Sequence, residues 1–558
     1  MQSIAGPAPP QIGMPETVPK PSYAEAVRDF SWSSVLHELE WQDCTPINLG
    51  HTIVDRHATH DGVALYWVGK DCSRARLTYR DLRALSNKIA NMLRSLGVRK
   101  GDRVAGILPR VLETVAVMIA VWKAGGIYVP VFTGFGTDAV GFRLRNCEAK
   151  VVFVHHEHRQ RVPERSEAAV VTIADDPDEL CEGDVDFRQA IGEQSERFTP
   201  EPCSRSDPAI ILYTSGSTGE PKGVLIANNF VAAISPYMRF GVDLAPEDML
   251  WPTGDPGWGY GLVCYHVAIA MGVPVLSCEA APTPESLLEL LQEHRVTSLA
   301  TVPTLLRGVM ALGAHKVEQY DLNLRCISSC GEPLNSEVIR FFQERLKLTP
   351  RDHFGSSENG LPLGNFNALE VAVKPGSMGL PMPGFELGII GEDGSELAAG
   401  EVGHLAQRES KEGYYALGYW KDAERTRQLF RYGWITAGDL ARRDQSGYFW
   451  FEGRADDVIK SSAYRIGPFE VESAILHHPA IAEAAVVGKP DALKGAIVKA
   501  YVTLRPGQQP RAQLAQEVQD IARRLVGDHA YPREIEVIDS LPKTESGKIQ
   551  RFKLRQRL

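Results

Sequence analysis

The sequence predicts an α/β protein: a large N-terminal domain of βα-type subdomains, a small β-rich subdomain, and a small C-terminal α+β domain. Three observations carry this. Helical and strand patterns alternate through most of the first 380 residues, and from about 383 to 453 the texture changes to short strands and turns. After Arg454-Ala455-Asp456-Asp457 a strand-rich unit with one amphipathic helix follows. At 558 residues the chain also exceeds what one core usually supports.

Taken in order, residues 1–22 hold six prolines and little apolar content, which predicts a disordered or extended arm. Tyr79 to Leu96 is an amphipathic helix with Leu82, Leu85, Ile89, Met92, Leu93 and Leu96 on one face. Val104 to Leu108 reads as a strand, Val111 to Lys123 as a helix and Tyr128 to Phe132 as a strand, an order that gives βαβ units and a largely parallel sheet. Ala209 to Leu212 and Val224 to Ala227 read as two strands of a hairpin. Asp393-Gly394 and Ser446-Gly447 mark further hairpins. Strands follow near 483–488, 496–504 and 534–538, with a helix over 512–526 burying Leu514, Val518, Ile521, Ala522 and Leu525. The domains are therefore placed at 23–456 and 457–558.

A net charge of −10 argues against a dedicated nucleic-acid partner. The apolar run from Val115 to Phe132 is broken by Lys123 and Gly125-Gly126, so it predicts a buried helix and strand and no membrane insertion. Nine scattered cysteines without a C-x-x-C pair suit a reducing compartment, and the expected location is cytoplasmic. His155-His156-Glu157-His158 is discounted as a metal site because neighbouring side chains on a strand point to opposite faces.

The loop of the first hairpin, Thr214-Ser215-Gly216-Ser217-Thr218-Gly219-Glu220-Pro221-Lys222, concentrates chemistry. Glycines let backbone N–H groups approach a ligand, four hydroxyls add donors, and Lys222 adds positive charge. That combination suits a polyphosphate. The G-x-x-x-x-G-K-[ST] spacing of a Walker A loop is absent.

This string resembles the phosphate loop of the adenylate-forming superfamily, and further motifs match it in order over about 45 to 555. Leu77-Thr78-Tyr79-Arg80-Asp81-Leu82 and Lys123-Ala124-Gly125-Gly126 match structural motifs. Gly331-Glu332-Pro333 resembles the adenine-contacting turn, and Asp352-His353-Phe354-Gly355-Ser356-Ser357-Glu358 the segment that ends in the magnesium-binding glutamate. A carboxylate suits Mg²⁺, a hard cation that takes oxygen ligands. Ala437-Gly438-Asp439 resembles the motif whose aspartate grips the ribose hydroxyls. Arg454 and Arg465 stand 15 and then 11 residues on, as ribose and phosphate contacts. Lys543-Thr544-Glu545-Ser546-Gly547-Lys548 resembles the tail whose final lysine enters the active site, where an ammonium stabilises charge on the departing phosphates. Residues 551–558 beyond it read as a solvated basic tail.

Asp255-Pro256-Gly257-Trp258-Gly259-Tyr260-Gly261 and the stretch from Asp457 to Glu472 resemble segments of short- and medium-chain acyl-CoA synthetases. That resemblance implies an adenylate-forming fold, ATP, Mg²⁺ and CoA as cofactors and co-substrates, and a carboxylic acid as substrate. It places Trp258, Gly259, Tyr260 and Gly355 at the acyl pocket, and Ser462, Ala463, Tyr464 and Arg523 near CoA. It puts the hinge of a rotating small domain at Asp456, and makes Thr214, Lys222, Glu358 and Lys548 the catalytic set. At Gly355, glycine in place of the tryptophan of acetate-specific relatives leads us to expect room for longer acids. Ala463 stands where the family has glycine, so delivery to a separate carrier protein is the alternative to CoA. The intact Lys548, Glu358, Asp439 and Arg465 argue against a silent nucleotide-binding protein. Neither the acid nor the oligomeric state is selected by these residues.

Overall fold

The computed structural model describes residues 19–41, 46–59, 61–164, 166–214, 221–332, 334–455, 457, 459–461, 464–491, 494–543 and 549–558, without the side chains of 460, 464, 465 and 469. The described chain divides into two compact units. One comprises residues 19–214 with Pro221–Glu386 and Arg408–Ile435, and the other Leu387–Gln407 with Thr436–Leu558.

Two sheets organise the first unit. One runs Leu380–Pro381, Gly360–Gly364, Arg351–Ser356, Cys326–Cys330, Ser298–Thr301, Leu250–Pro252, Val275–Cys278, Val63–Val68, Arg74–Thr78. Its centre is parallel and its edges are antiparallel. The other runs Ala416–Tyr419, Lys222–Ala227, Pro208–Thr214, Ile127–Pro130, Arg103–Ile107, Ala149–His155, Ala169–Ile173, Val185–Asp186. Its parallel strands are apolar at their centres, in 104–107, 127–129 and 151–154, as strands covered on both faces are.

The first helix to be predicted in detail, Tyr79–Ser95, begins on a capping box: Thr78 and Asp81 exchange side-chain-to-backbone hydrogen bonds at 3.1 and 3.0 Å. That explains the Thr78-to-Asp81 motif. Leu82, Ile89, Met92 and Leu93 are buried, and Leu85 and Leu96 half-buried. Helix Leu112–Lys123 is buried from Thr114 onward, and at its end the enclosed Lys123 donates to Asp55 Oδ1 at 2.6 Å and Asn87 Oδ1 at 2.7 Å. Gly125, at φ 73°, then reverses the chain into strand Ile127–Pro130.

The described start of the chain is clasped to the same unit. Tyr23 Oη donates to Pro381 O at 3.0 Å and Trp32 Nε1 to Gly384 O at 3.2 Å. Trp32 stands edge-on to Phe30 and Phe385, with ring centroids at 5.0 and 5.4 Å. A Cβ on Gly384 or Gly413 would collide with Phe30 or Trp32, so both glycines are required by that contact.

In the second unit, strands Leu387–Ile390, Val402–Arg408, Asp439–Arg443 and Phe449–Arg454 pair antiparallel in that order. A three-stranded sheet, Ile481–Asp491, Gly495–Leu504 and Glu534–Val537, is covered by helices Pro468–Ile475 and Leu514–Val526. Helix Pro468–Ile475 also packs on Phe449–Arg454, which draws residues 436–455 into this unit. The expected boundary residue, Asp456, lies outside the described ones.

Three local expectations are corrected. Leu525 is 48% exposed, because the apolar stripe of its helix passes through Leu514, Val518, Ala522 and Val526. His156 to His158 lie on the 3-10 turn His156–Arg161 and not on the strand, which ends at His155. Even so, no group of three metal-binding side chains occurs among the described residues. The basic tail is solvated only in part: Lys553 and 556–558 are exposed, but Arg551 is largely enclosed and ion-paired, and Leu554 is fully buried. No described helix is long and apolar enough to cross a membrane.

Candidate active site

In the first unit, the candidate residues sit on loops that leave the ends of sheet strands, the usual place for a ligand on a parallel sheet. Strand Pro208–Thr214 ends on Thr214 and strand Lys222–Ala227 begins on Lys222, and the two residues are direct cross-strand partners. Thr214 Oγ1 is buried and has no hydrogen-bond partner among the described residues. A buried hydroxyl in that state is costly unless a ligand oxygen or N–H completes it. Ser215, Gly216, Ser217, Thr218 and Gly219 lie outside the described residues.

Glu358 occupies the turn between strands Arg351–Ser356 and Gly360–Gly364 of the other sheet. Ser356 shapes that turn by accepting the Asn359 N–H at 3.0 Å, and Gly360 takes φ 71°. Ser357 is half-buried beside it. Glu358 is 6% exposed, and its Oε1 accepts the Tyr419 hydroxyl at 2.7 Å and lies 3.4 Å from Lys222 Nζ. Lys222 Nζ in turn donates to Tyr419 Oη at 2.9 Å and lies 4.6 Å from the centre of its ring. Lysine, phenol and carboxylate thus form a closed triangle next to the unpaired Thr214 hydroxyl. Among the described residues both contacts to Glu358 fall on Oε1, which leaves Oε2 as a hard oxygen donor, a set that fits Mg²⁺. Tyr419 is the residue that sequence reasoning missed. The aromatic run Tyr414, Tyr415, Tyr419, Trp420 was its only signal.

Strand Cys326–Cys330 leads into Gly331, whose φ of 99° only glycine adopts readily and whose Cβ side is open. Glu332 is held by Thr304 at 2.8 Å and by Arg307. Pro333 lies outside the described residues. Asp352 Oδ2 accepts the Leu334 N–H at 3.2 Å, tying this turn to the Glu358 strand, and burial pushes its carboxyl up to about 8. His353 points into the core, edge-on to Tyr237 at 5.0 Å, and burial lowers its ring to about 4. Phe354 is half-buried on the opposite side of the strand.

Trp258 precedes helix Gly259–Ala270 and lies 5.7 Å from Phe132. Tyr260, one residue into the helix, shares a 2.8 Å hydrogen bond with the fully buried Tyr237. Tyr237 opens a π-helical turn, Tyr237–Val242, a distortion found often at functional sites. Gly355 does not open a void: a Cβ there would collide with Gly360 O and come within 2.6 Å of Leu361 Cδ2. Its φ is not in the left-handed region either, so the glycine answers to the close approach of the next strand.

The second unit holds the remaining residues. Asp439 and Arg454 face each other across the hairpin, with Arg454 Nη1 3.1 Å from Asp439 Oδ1. Their fifteen-residue offset is the length of that hairpin, turned at Asp444 to Gly447. Gly438, at φ 86°, brings the backbone against the Arg454 guanidinium. Arg465 and Tyr464 lie on strand Tyr464–Ile466, their side chains outside the described ones. Arg523 is on the exposed side of its helix, paired with Asp520 at 3.3 Å and Asp528 at 3.1 Å. Ser462, Ala463 and Lys548 lie outside the described residues.

Comparison with known proteins adds the following. Residues 54–420 match the model of the AMP-binding enzyme family and residues 470–548 that of the AMP-binding enzyme C-terminal domain. The chain is 38% identical to the acetyl-coenzyme A synthetase of Bacillus subtilis (strain 168) over 545 residues, covering 95% of this chain and 94% of that one. An acyl-CoA synthetase crystal structure from Brucella canis is similar at 39% identity and a TM-score of 0.77, covering 96% and 99% of the two chains. An anthranilate CoA ligase in complex with anthranoyl-AMP superposes with a TM-score of 0.82 at 28% identity, covering 95% and 99%.

Proposed function

We infer that this chain, which belongs to the AMP-binding enzyme family, is an acyl-CoA synthetase, an AMP-forming carboxylate–CoA ligase. A carboxylate attacks the α-phosphorus of ATP, giving acyl-AMP and pyrophosphate. The CoA thiol then attacks the acyl carbonyl and AMP leaves, giving the thioester. The observation that carries the reading is the Lys222–Tyr419–Glu358 triangle beside a Thr214 hydroxyl that has no partner among the described residues, a cation and a donor on one side and a carboxylate on the other.

In this reading Thr214, Lys222 and residues 215–219 hold the phosphates, and Glu358 holds Mg²⁺, which neutralises phosphate charge when bound. Ser357 donates to the α-phosphate. The open side of Gly331, with Glu332, Pro333 and the 352–356 strand, seats adenine. Asp439 and Arg454 take the ribose hydroxyls, and Arg465 a phosphate. Lys548 offers positive charge to the α-phosphate as pyrophosphate departs. Ser462, Ala463, Tyr464 and Arg523 receive CoA, with the small domain turning at Asp456. A reducing cytoplasm suits the absence of a disulfide among the described residues.

Trp258, Gly259, Tyr260 and Gly355 border the acid. We place a short acid there, because Tyr260 is anchored to Tyr237 and the space beside Gly355 is filled by Gly360 and Leu361. The test is carboxylate-dependent ATP–pyrophosphate exchange over acetate, propionate, butyrate, octanoate and benzoate, followed by thioester formation with CoA. Acetate to butyrate should drive exchange best. Exchange that no acid stimulates would overturn the activity, and strong exchange with octanoate would overturn the short pocket. Acids that drive exchange without CoA ever being consumed would hand the second step to a carrier protein.

A further inference from the structure

Three residues beyond the segment 544–548, Arg551 opens the helix Arg551–Arg555. Its Nη2 donates to both oxygens of Glu472, at 2.8 and 2.7 Å, and its Nε donates to Oε1 at 3.2 Å. Glu472 is 5% exposed, and its Oε1 also accepts the Val486 N–H at 2.7 Å. Arg551 Nη1 lies 3.6 Å from Asp457 Oδ2, and Asp457 Oδ1 accepts Arg555 Nη1 at 2.8 Å. Leu554, in the same helix, is fully buried with Ala485, Val487, Tyr501 and Leu541. On the near side of the helix, Lys543 pairs with Ile549 and the Gln550 N–H donates to Pro542 O at 2.8 Å.

The described residues on both sides of 544–548 are thus held at one neck, and Arg551 ties that neck to the residue following Asp456. A buried ion pair is weak evidence of stabilisation, since desolvating both charges offsets most of their attraction. What a bidentate arginine–carboxylate fork supplies is a fixed direction. Leu554 alone would anchor the helix. A second, charged anchor at its first residue fixes its orientation as well.

We propose that Arg551, gripped by Glu472 and Asp457, is a positioning residue for the adenylation half-reaction, orienting the stem that carries Lys548 and joining it to the chain at 457. This rests on the reading of Lys548 given above. The side chain touches no substrate and acts through the lysine.

The test compares Arg551→Lys, Lys548→Ala and the double variant in the full-length enzyme. ATP–pyrophosphate exchange reports the first half-reaction, and thioester formation from supplied acyl-AMP the second. Arg551→Lys keeps the charge and loses the fork. It should slow exchange about tenfold, with the KM for ATP and the second half-reaction changed less than about twofold, since small misplacements act on the oriented step. In the double variant exchange should fall no further than in Lys548→Ala alone. Additive losses, equal losses in both half-reactions, or undiminished exchange would each overturn the proposal. Should Arg551→Lys fail to fold, Asp457→Asn leaves the Glu472 fork in place and should slow exchange about threefold by the same logic; undiminished exchange there overturns the proposal. If Lys548→Ala leaves exchange intact, the lysine assignment falls and this proposal with it. If Lys548→Ala cripples exchange and Arg551→Lys does not, only the present proposal falls.

Discussion

Lys222, Tyr419 and Glu358 in the first unit and Asp439 and Arg454 in the second are charge clusters built on opposite plans. The first draws on residues 197 and 61 positions apart, from two different sheets. The second is a single hairpin whose partners stand 15 residues apart and face each other in register. A cluster assembled from distant strands exists only once both sheets are in place. A hairpin pair forms with its own turn. The first therefore reports the finished fold, and the second is nearly a property of local sequence.

The sharpest way to break this contrast is Glu358→Gln. If the triangle is a catalytic device, exchange should fall by about 10²–10³, the usual cost of one lost electrostatic contact in a transition state. Unaltered exchange would reduce it to a structural ion pair. Asp439→Asn is expected to be milder, raising the KM for ATP about tenfold with kcat little changed, as loss of a hydrogen-bonding charge in binding would. Were only the melting temperature to move, the hairpin pair would be structural and the two plans would differ in role as well as in construction. Gly355→Ala should have the smallest effect on chemistry. It forces a methyl against Gly360 O and should cost about 1–3 kcal/mol of stability, read by denaturant unfolding, with acid preference unchanged. A shift toward smaller acids at unchanged stability would restore an open pocket at that position.

Much of the fold was legible because its signals are local. The cap at Thr78 and Asp81, the short apolar strand cores, and the turns at Asp393-Gly394 and Ser446-Gly447 each specify their own element. The Asp439–Arg454 offset came from the resemblance, and the hairpin that joins the two explains it. Tyr419 was not legible, since nothing near it in sequence reveals a lysine 197 positions away. Arg551 was misread as part of a solvated tail because its partner Glu472 is 79 residues upstream. Gly355 was misread because a missing side chain looks alike from sequence whether it leaves a void or admits a neighbouring strand. The structure distinguishes the two by what stands where the Cβ would be.

The aromatic clasp of Phe30 and Trp32 on Gly384 and Phe385 bears on how the chain assembles. Trp32 and Gly384 are 352 residues apart. A ribosome adding about 5–20 residues per second has made Trp32 many seconds before Gly384 exists. Phe30 and Trp32 therefore leave the exit tunnel with each other but without Gly384 and Phe385 to cover them. The clasp is among the last contacts of its unit to close during synthesis, and until then those rings are the part of the nascent chain a chaperone would find.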